Sequence, residues 1–178
     1  RFYIDDSAYN VTKNLRQEME SIFDKYDLYD KIKDSGFTTE EVFTLASIVQ
    51  AEAAKTNDMQ LVASVFINRL KNPEDFPKLQ SDATNKYYTK VILPQNEDAA
   101  SQAMYEDAYD TYVSIGLTPS PIGNPGIDAI LAVLEAPKTD YFYFCSDINT
   151  KECFYANTYD QHKENLKKAG INDEQYFE

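Results

Sequence analysis

The stretch Leu45-Ala46-Ser47-Ile48-Val49-Gln50-Ala51-Glu52-Ala53 constrains the fold more than any other part of this 178-residue chain. Thr38 with Glu41 makes a capping box ahead of it, and Val42, Leu45, Ala46, Val49 and Ala53 recur at helical spacing, which predicts a helix with one face in the core. Glu52 falls seven residues after Leu45, four after Ile48 and three after Val49, so a carboxylate stacks on that buried stripe. Two readings are open at this point. The side chain can reach past the stripe to water, the commoner arrangement because unpaired buried Glu is rare. Alternatively it faces a cleft, where burial favours the neutral form of a carboxyl and suits it to general acid work near neutrality.

The length fits one domain with a substantial core, and 43% hydrophobic residues is ordinary for a globular chain. The formal charge of −13, from 30 acidic against 17 basic residues without a Lys/Arg cluster, argues against nucleic acid as a partner. The scattered acids read as a solvated surface. Fourteen Tyr and ten Phe with no Trp supply rings that offer a flat face and a hydroxyl, which suits sugar binding as well as a Tyr-rich core. No apolar run is long enough to cross a bilayer, and the first residues do not read as a signal peptide. Cys145, Cys153 and the single His162 cannot make a zinc site of usual type, so no metal is expected.

Residues 7–33 read as one helix through Val11, Leu15, Met19, Ile22 and Phe23, ended by Gly36. After Thr56-Asn57-Asp58 a further helix carries Leu61, Val62, Val65, Phe66 and Leu70, and its short connection predicts packing back on the helix before it. Residues 72–95, with Pro73, Pro77 and Pro94, read as loop and turn with one short strand. A helix is expected over 97–113, then a proline-rich loop in which Asn124 caps and Pro125 opens a helix through Ile127 to Leu134. Tyr141-Phe142-Tyr143-Phe144-Cys145 and Cys153-Phe154-Tyr155-Ala156 flank a turn, the signature of a hairpin. Across it the two cysteines form either a disulfide or two small buried thiols. Thr158 with Gln161 caps a last helix bearing His162. The expected fold is α+β: a single, mainly helical domain over 1–178 with a C-terminal β-hairpin and proline-rich loops around a cleft.

Several ordered segments together resemble the catalytic domain of the YceG-like (MltG) endolytic murein transglycosylases. They are Leu45 to Glu52, Val62 to Leu70, Leu79-Gln80-Ser81-Asp82-Ala83-Thr84, Tyr109 to Tyr112, Gly116 to Ile122, Asn124-Pro125-Gly126, Tyr141 to Phe144 and His162. The resemblance covers roughly Thr39 to Lys168. It implies a lyase that cuts nascent peptidoglycan strands internally, at the β-1,4 bond between MurNAc and GlcNAc, and leaves 1,6-anhydro-MurNAc ends. It further implies a membrane anchor and a LysM-like module before the catalytic domain, neither evident in these residues, and action at the extracytoplasmic face of the bacterial cytoplasmic membrane. Glycan strands are the expected partner, with cell-wall synthases as further candidates.

By the same resemblance Glu52 is the catalytic residue, and no cofactor is called for. Relatives usually carry two acids two residues apart, where this chain has Gln50 and Glu52; positions i and i+2 of a helix point to different sides and cannot both address one bond. Other departures are Ala83 where Pro is frequent, Asp110 in place of Asn, and Thr118 and Ser120 within a Gly-Leu-Pro-Pro-Gly-Pro pattern. Asn68, Gln80, Ser81, Asp82, Thr84, Tyr112 and Asn124 are the residues expected to line the substrate site, because loops flanking a rigid helix are common homes for binding groups. Asn68 and Asn124 read equally as helix-end caps and Tyr112 as core, and His162 is left outside the catalytic set. Two other functions compete: a two-carboxylate muramidase of lysozyme type, with Asp82 as the second acid, and a non-catalytic peptidoglycan-binding module. A pyridoxal phosphate lyase lacks a recognisable phosphate cup or Schiff-base lysine.

Overall fold

The computed structural model describes residues 6–53, 55–96 and 98–171. Its described helices are α1 (Ala8–Lys25), α2 (Leu28–Ser35), α3 (Thr39–Glu52), α4 (Met59–Lys71), α5 (Asp82–Tyr87), α6 (Ala99–Tyr109), α7 (Ile127–Leu134) and α8 (Tyr159–Lys168). A two-stranded antiparallel sheet, β1 (Tyr143–Ser146) and β2 (Cys153–Ala156), lies between α7 and α8 in the chain. This is the helix-dominated α+β architecture with a C-terminal hairpin that the sequence predicts. The chain divides into two compact units, residues 1–39 and 40–178.

In the first unit the single helix expected over 7–33 is broken. Asp27 adopts a left-handed conformation, φ 53°, so α1 stops at Lys25 and α2 restarts at Leu28. Asp tolerates that region better than most residues, and the break lets the rings of Phe23 and Tyr29 meet at 4.9 Å. Gly36 ends α2 at φ 78°, a conformation that carries a steric cost for a residue with a Cβ.

The second unit is built around α3. Every residue from Thr44 to Val49 is buried, so this helix shows a buried girth rather than the single stripe read from the sequence. α4 packs closely on α7 and touches β1, rather than having the helix before it as its nearest neighbour. Buried Ala63 on α4 and Ala129 and Ala132 on α7 are small enough for close helix approach. Phe66 of α4 meets Phe144 of β1 edge-on at 5.7 Å. α8 closes the far side of the hairpin, where Leu166 and Ala169 cluster with Cys145, and Phe154 and Ile171 pack against them.

The segment 72–95 departs most from expectation. Residues 82–95 are helical throughout: α5, then a π-helical turn Tyr88–Ile92, then a 3-10 turn Leu93–Gln95. Pro77 precedes this run and Pro94 falls in its last turn, so the prolines bracket a helix instead of preventing one. Among the described residues the extended pairing nearby is an isolated bridge, Lys78 with Gly116. α7 begins at Ile127 with Gly126 as its N-cap; Asn124 lies two residues too early to cap it.

Strand register settles the cysteines. Cys145 pairs with Phe154 and Ser146 with Cys153, so the two thiols point to opposite faces of the hairpin and are both free. Cys153 Sγ lies 3.0 Å from Ser146 Oγ. Burial pushes the Cys145 thiol up from its ordinary 9.0 to about 11, which keeps it unreactive at neutral pH.

Candidate active site

Glu52 is the last residue of α3, half-buried, at the point where the core helix emerges. Its Oε1 accepts two hydrogen bonds: from the Ser81 hydroxyl at 2.6 Å and from the backbone N–H of Ala83, in the first turn of α5, at 2.8 Å. Its Oε2 makes no hydrogen bond among the described residues. One oxygen is thus fixed in place and the other left available.

A buried polar knot beneath Ser81 holds this arrangement. The Ser81 N–H donates to Thr111 Oγ1 at 2.9 Å, and the Thr84 hydroxyl donates to the Ser81 carbonyl at 2.8 Å. Thr84 Oγ1 and Thr111 Oγ1 are 2.8 Å apart, and Thr84 and Thr111 are both fully buried. Gln80, immediately before, sits at φ 54°, a costly conformation for a non-glycine residue at a cleft wall. Its N–H is tied to the Thr111 carbonyl and its Oε1 accepts from Arg69 Nη1 at 3.2 Å.

Arg69 is the buried cation of the site, 7% exposed. Its guanidinium donates to the Phe142 carbonyl at 2.7 Å and the Leu79 carbonyl at 2.9 Å, and lies over the rings of Phe76 and Tyr143. Burial lowers its pKa from the ordinary arginine value, and the guanidinium stays charged at physiological pH. It links α4, the loop before α5 and the entry to β1.

These groups border a cleft of about 520 Å³. Glu52, Arg69, Gln80, Asp82 and Tyr112 line it together with Tyr143 of the hairpin and Tyr159 and His162 of α8. Asp82 Oδ1 accepts from the Tyr112 hydroxyl at 2.7 Å, and Oδ2 faces Lys86 at 3.7 Å. His162 stacks on Tyr143, with ring centres 5.2 Å apart. α8 brings Tyr159 and His162 here because Thr158 caps it, accepting from the Gln161 N–H, while Gln161 Oε1 accepts from the Asn157 N–H.

Of the residues expected from sequence, Glu52, Gln80, Asp82 and Tyr112 border the cleft, and Ser81 touches Glu52 directly. Thr84 lies beneath as a support. Asn68 does not border the cleft: its Nδ2 donates to the Thr139 and Tyr141 carbonyls and straps α4 to the chain entering the hairpin. Asn124 is exposed and away from the cleft lining. Arg69, Tyr143, Tyr159 and His162 were not among the expected site residues. The alternation Tyr141 to Phe144 signalled a strand for Tyr143, but nothing local shows that α8 folds beside it.

The departures also find places. Gln50 Oε1 accepts the Gly126 N–H at 2.7 Å, and Ser47 Oγ accepts that of Ile122 at 3.0 Å, so α3 tethers the proline-rich loop. Ser120 Oγ pairs with the Tyr109 hydroxyl at 2.7 Å, and the Thr118 hydroxyl donates to the Ser120 carbonyl. Asp110, 6% exposed, accepts from the Asn85 side chain and the Tyr112 N–H.

Fold and site together define an α+β protein whose core helix delivers one hydrogen-bonded glutamate to an aromatic cleft. The chain belongs to the YceG-like family, whose model matches residues 1–168. A protein named endolytic murein transglycosylase from Streptococcus pneumoniae serotype 2 (strain D39 / NCTC 7466) is 34% identical over 92% of the chain, and the match spans 31% of that protein. One of the same name from Bacillus subtilis (strain 168) is 31% identical over 92% of the chain and 43% of its own length. The chain therefore spans less than half of either relative. A crystal structure of a yceG-like protein from Listeria monocytogenes superposes with a TM-score of 0.73 at 27% identity, over 92% of this chain and 51% of that one.

Proposed function

We propose that this chain is the catalytic domain, across residues 1–178, of an endolytic murein transglycosylase. The observation that carries the reading is the asymmetric environment of Glu52: Oε1 is saturated by Ser81 and Ala83 while Oε2 is unengaged in a wall of the cleft. The names of the relatives supply the substrate class.

In the proposed cycle Oε2 carries the proton and donates it to the glycosidic oxygen between MurNAc and GlcNAc. As the C1–O bond breaks, the C6 hydroxyl of the muramic residue closes on C1, and Glu52 recovers the proton from that hydroxyl. The product is a 1,6-anhydro ring and no water is consumed. The intramolecular nucleophile has a high effective concentration, so one carboxyl can serve as acid and then base. The two donors to Oε1 steady the carboxylate at the midpoint of the cycle. Asp82, held by Tyr112 and Lys86, is placed to offset positive charge on the sugar ring, and the exposed ring of Tyr159 offers apolar surface to sugars. The reaction places the domain outside the cytoplasmic membrane, held there by an anchor, with wall synthases as partners. No described helix is long and apolar enough to cross a membrane.

The presence of Asp82 on the same cleft favours a second reading, a muramidase in which that carboxylate is nucleophile or base. Mass spectrometry of uncrosslinked strands digested by the domain separates the two. Anhydro ends, lighter by one water than reducing ends, are expected; mainly reducing MurNAc ends would replace the transglycosylase reading with the hydrolase. Glu52→Gln is expected to abolish cleavage, by at least about a thousandfold, while retaining the fold. Undiminished turnover in that variant would remove Glu52 from the mechanism.

A further inference from the structure

Glu52 borders two hollows. Besides the aromatic cleft, a smaller one of about 290 Å³ lies against it, lined also by Ala83, Lys86, Tyr87, Lys90 and Ile122, and the two linings share Glu52 alone. Glu52 therefore borders both hollows, and a polymer cut in its interior at this residue has to extend to either side of it.

The second hollow has a chemistry of its own. Lys86 and Lys90 are four residues apart and exposed, on α5 and the π-helical turn that follows it. Like charges at that spacing repel, so helix stability does not call for the pair. Lys86 has one long contact, with Asp82 at 3.7 Å, and Lys90 makes no ion pair among the described residues. Two cations side by side are also at odds with a chain of net charge −13. Tyr87, in the same lining, is half-buried, its ring set 5.7 Å from that of Tyr109. A tyrosine ring and two ammonium groups lining one hollow match a sugar that bears carboxylates.

We propose that this hollow is a subsite for the acid-bearing part of the strand: Tyr87 lies against a sugar ring, and Lys86 and Lys90 take the carboxylates of the lactyl-peptide branch of a muramic residue. The assignment rests on the reading of Glu52 as the acid of a glycan-cleaving site. The carboxylate comes either from the stem peptide or from the lactyl group of a stripped strand.

The test compares Glu52→Gln with the triple variant E52Q/K86Q/K90Q by calorimetric binding to three ligands: peptide-bearing uncrosslinked strands, amidase-stripped strands and neutral chitooligosaccharides. The triple variant is expected to bind peptide-bearing strands about tenfold more weakly, with a shallower dependence on salt, and to bind the neutral oligomer as its parent does. A loss confined to peptide-bearing strands identifies the stem peptide, a loss confined to stripped strands identifies the lactyl carboxylate, which peptide-bearing strands hold as an amide, and a loss on both shows that the hollow takes a carboxylate from either source. Unchanged affinity for both acidic ligands, or an equal loss on the neutral one, would overturn the proposal. Charge reversal, K86E/K90E, is expected to deepen the loss, and no deepening would count against it. In the active chain K86Q/K90Q should act on KM more than on kcat, and an effect on kcat alone would contradict a binding role. Binding that depends on the lysines in a chain that cleaves nothing would sink the enzymatic reading of Glu52 and leave the subsite standing.

Discussion

The Ser81 hydroxyl makes a single hydrogen bond at the centre of the proposed chemistry. It reaches Glu52 at 2.6 Å and is itself 2% exposed, so no water can readily replace it. Hydrogen bonds to charged groups are worth about 1.5–3 kcal/mol, which predicts that Ser81→Ala lowers kcat roughly 10- to 100-fold. Steady-state kinetics on uncrosslinked strands, with circular dichroism to verify the fold, check this; a variant within twofold of wild type would show that the Ala83 N–H suffices. Helical spacing marked Glu52 as unusual but left open whether it simply reaches water; the catalytic expectation for Glu52 came from the resemblance, and Ser81 and Asp82 were candidates for their place in a loop-like stretch. Arg69 was not, because its partners are carbonyls at 79 and 142, and nothing in the sequence marks a guanidinium that binds backbone. Asn68 misleads for the same reason: its amide serves the backbone at 139 and 141 instead of the cleft.

At the scale of elements, the turn between β1 and β2 depends on Asp147. Its Oδ1 accepts from the Thr150 and Asn149 N–H groups, both at 2.7 Å, and these bonds hold its carboxyl below the ordinary 3.8. A carboxyl depressed in the folded state stabilises above its unfolded pKa, and that stabilisation is lost as pH falls through the folded value. Asp147→Ala is therefore expected to lower Tm at neutral pH, with the gap to wild type closing once the pH drops below about 3.8. Thermal melts across that range decide it; a gap that persists in strong acid would assign the effect to chain stiffness instead. The hairpin and α8 were readable because alternation and a capping pair are local signals. The helical run 82–95 was not, because prolines at its borders look the same in sequence as prolines inside a loop.

Across the second unit as a whole, Arg69 joins α4, the 79–80 segment and the start of β1 through one side chain. Arg69→Met removes the guanidinium from partners that stay buried, and an unfolding cost of about 2–4 kcal/mol is expected, measured by urea denaturation. A loss below about 0.5 kcal/mol would mean that ring packing, not hydrogen bonding, holds the junction. Long-range ties of this kind are what a single sequence conceals: periodicity shows which face of a helix is apolar, but not which distant carbonyl a side chain finds.

The buried girth of α3 separates two kinds of evolutionary freedom. The proposed reacting group, Glu52, rides on a helix whose residues are fixed by the interior, whereas Lys86, Lys90 and Tyr159 are exposed on other elements. On the proposed function, lineages can retune which wall chemistries they accept by exchanging surface side chains, with little risk to the foundation that holds the proposed acid in place.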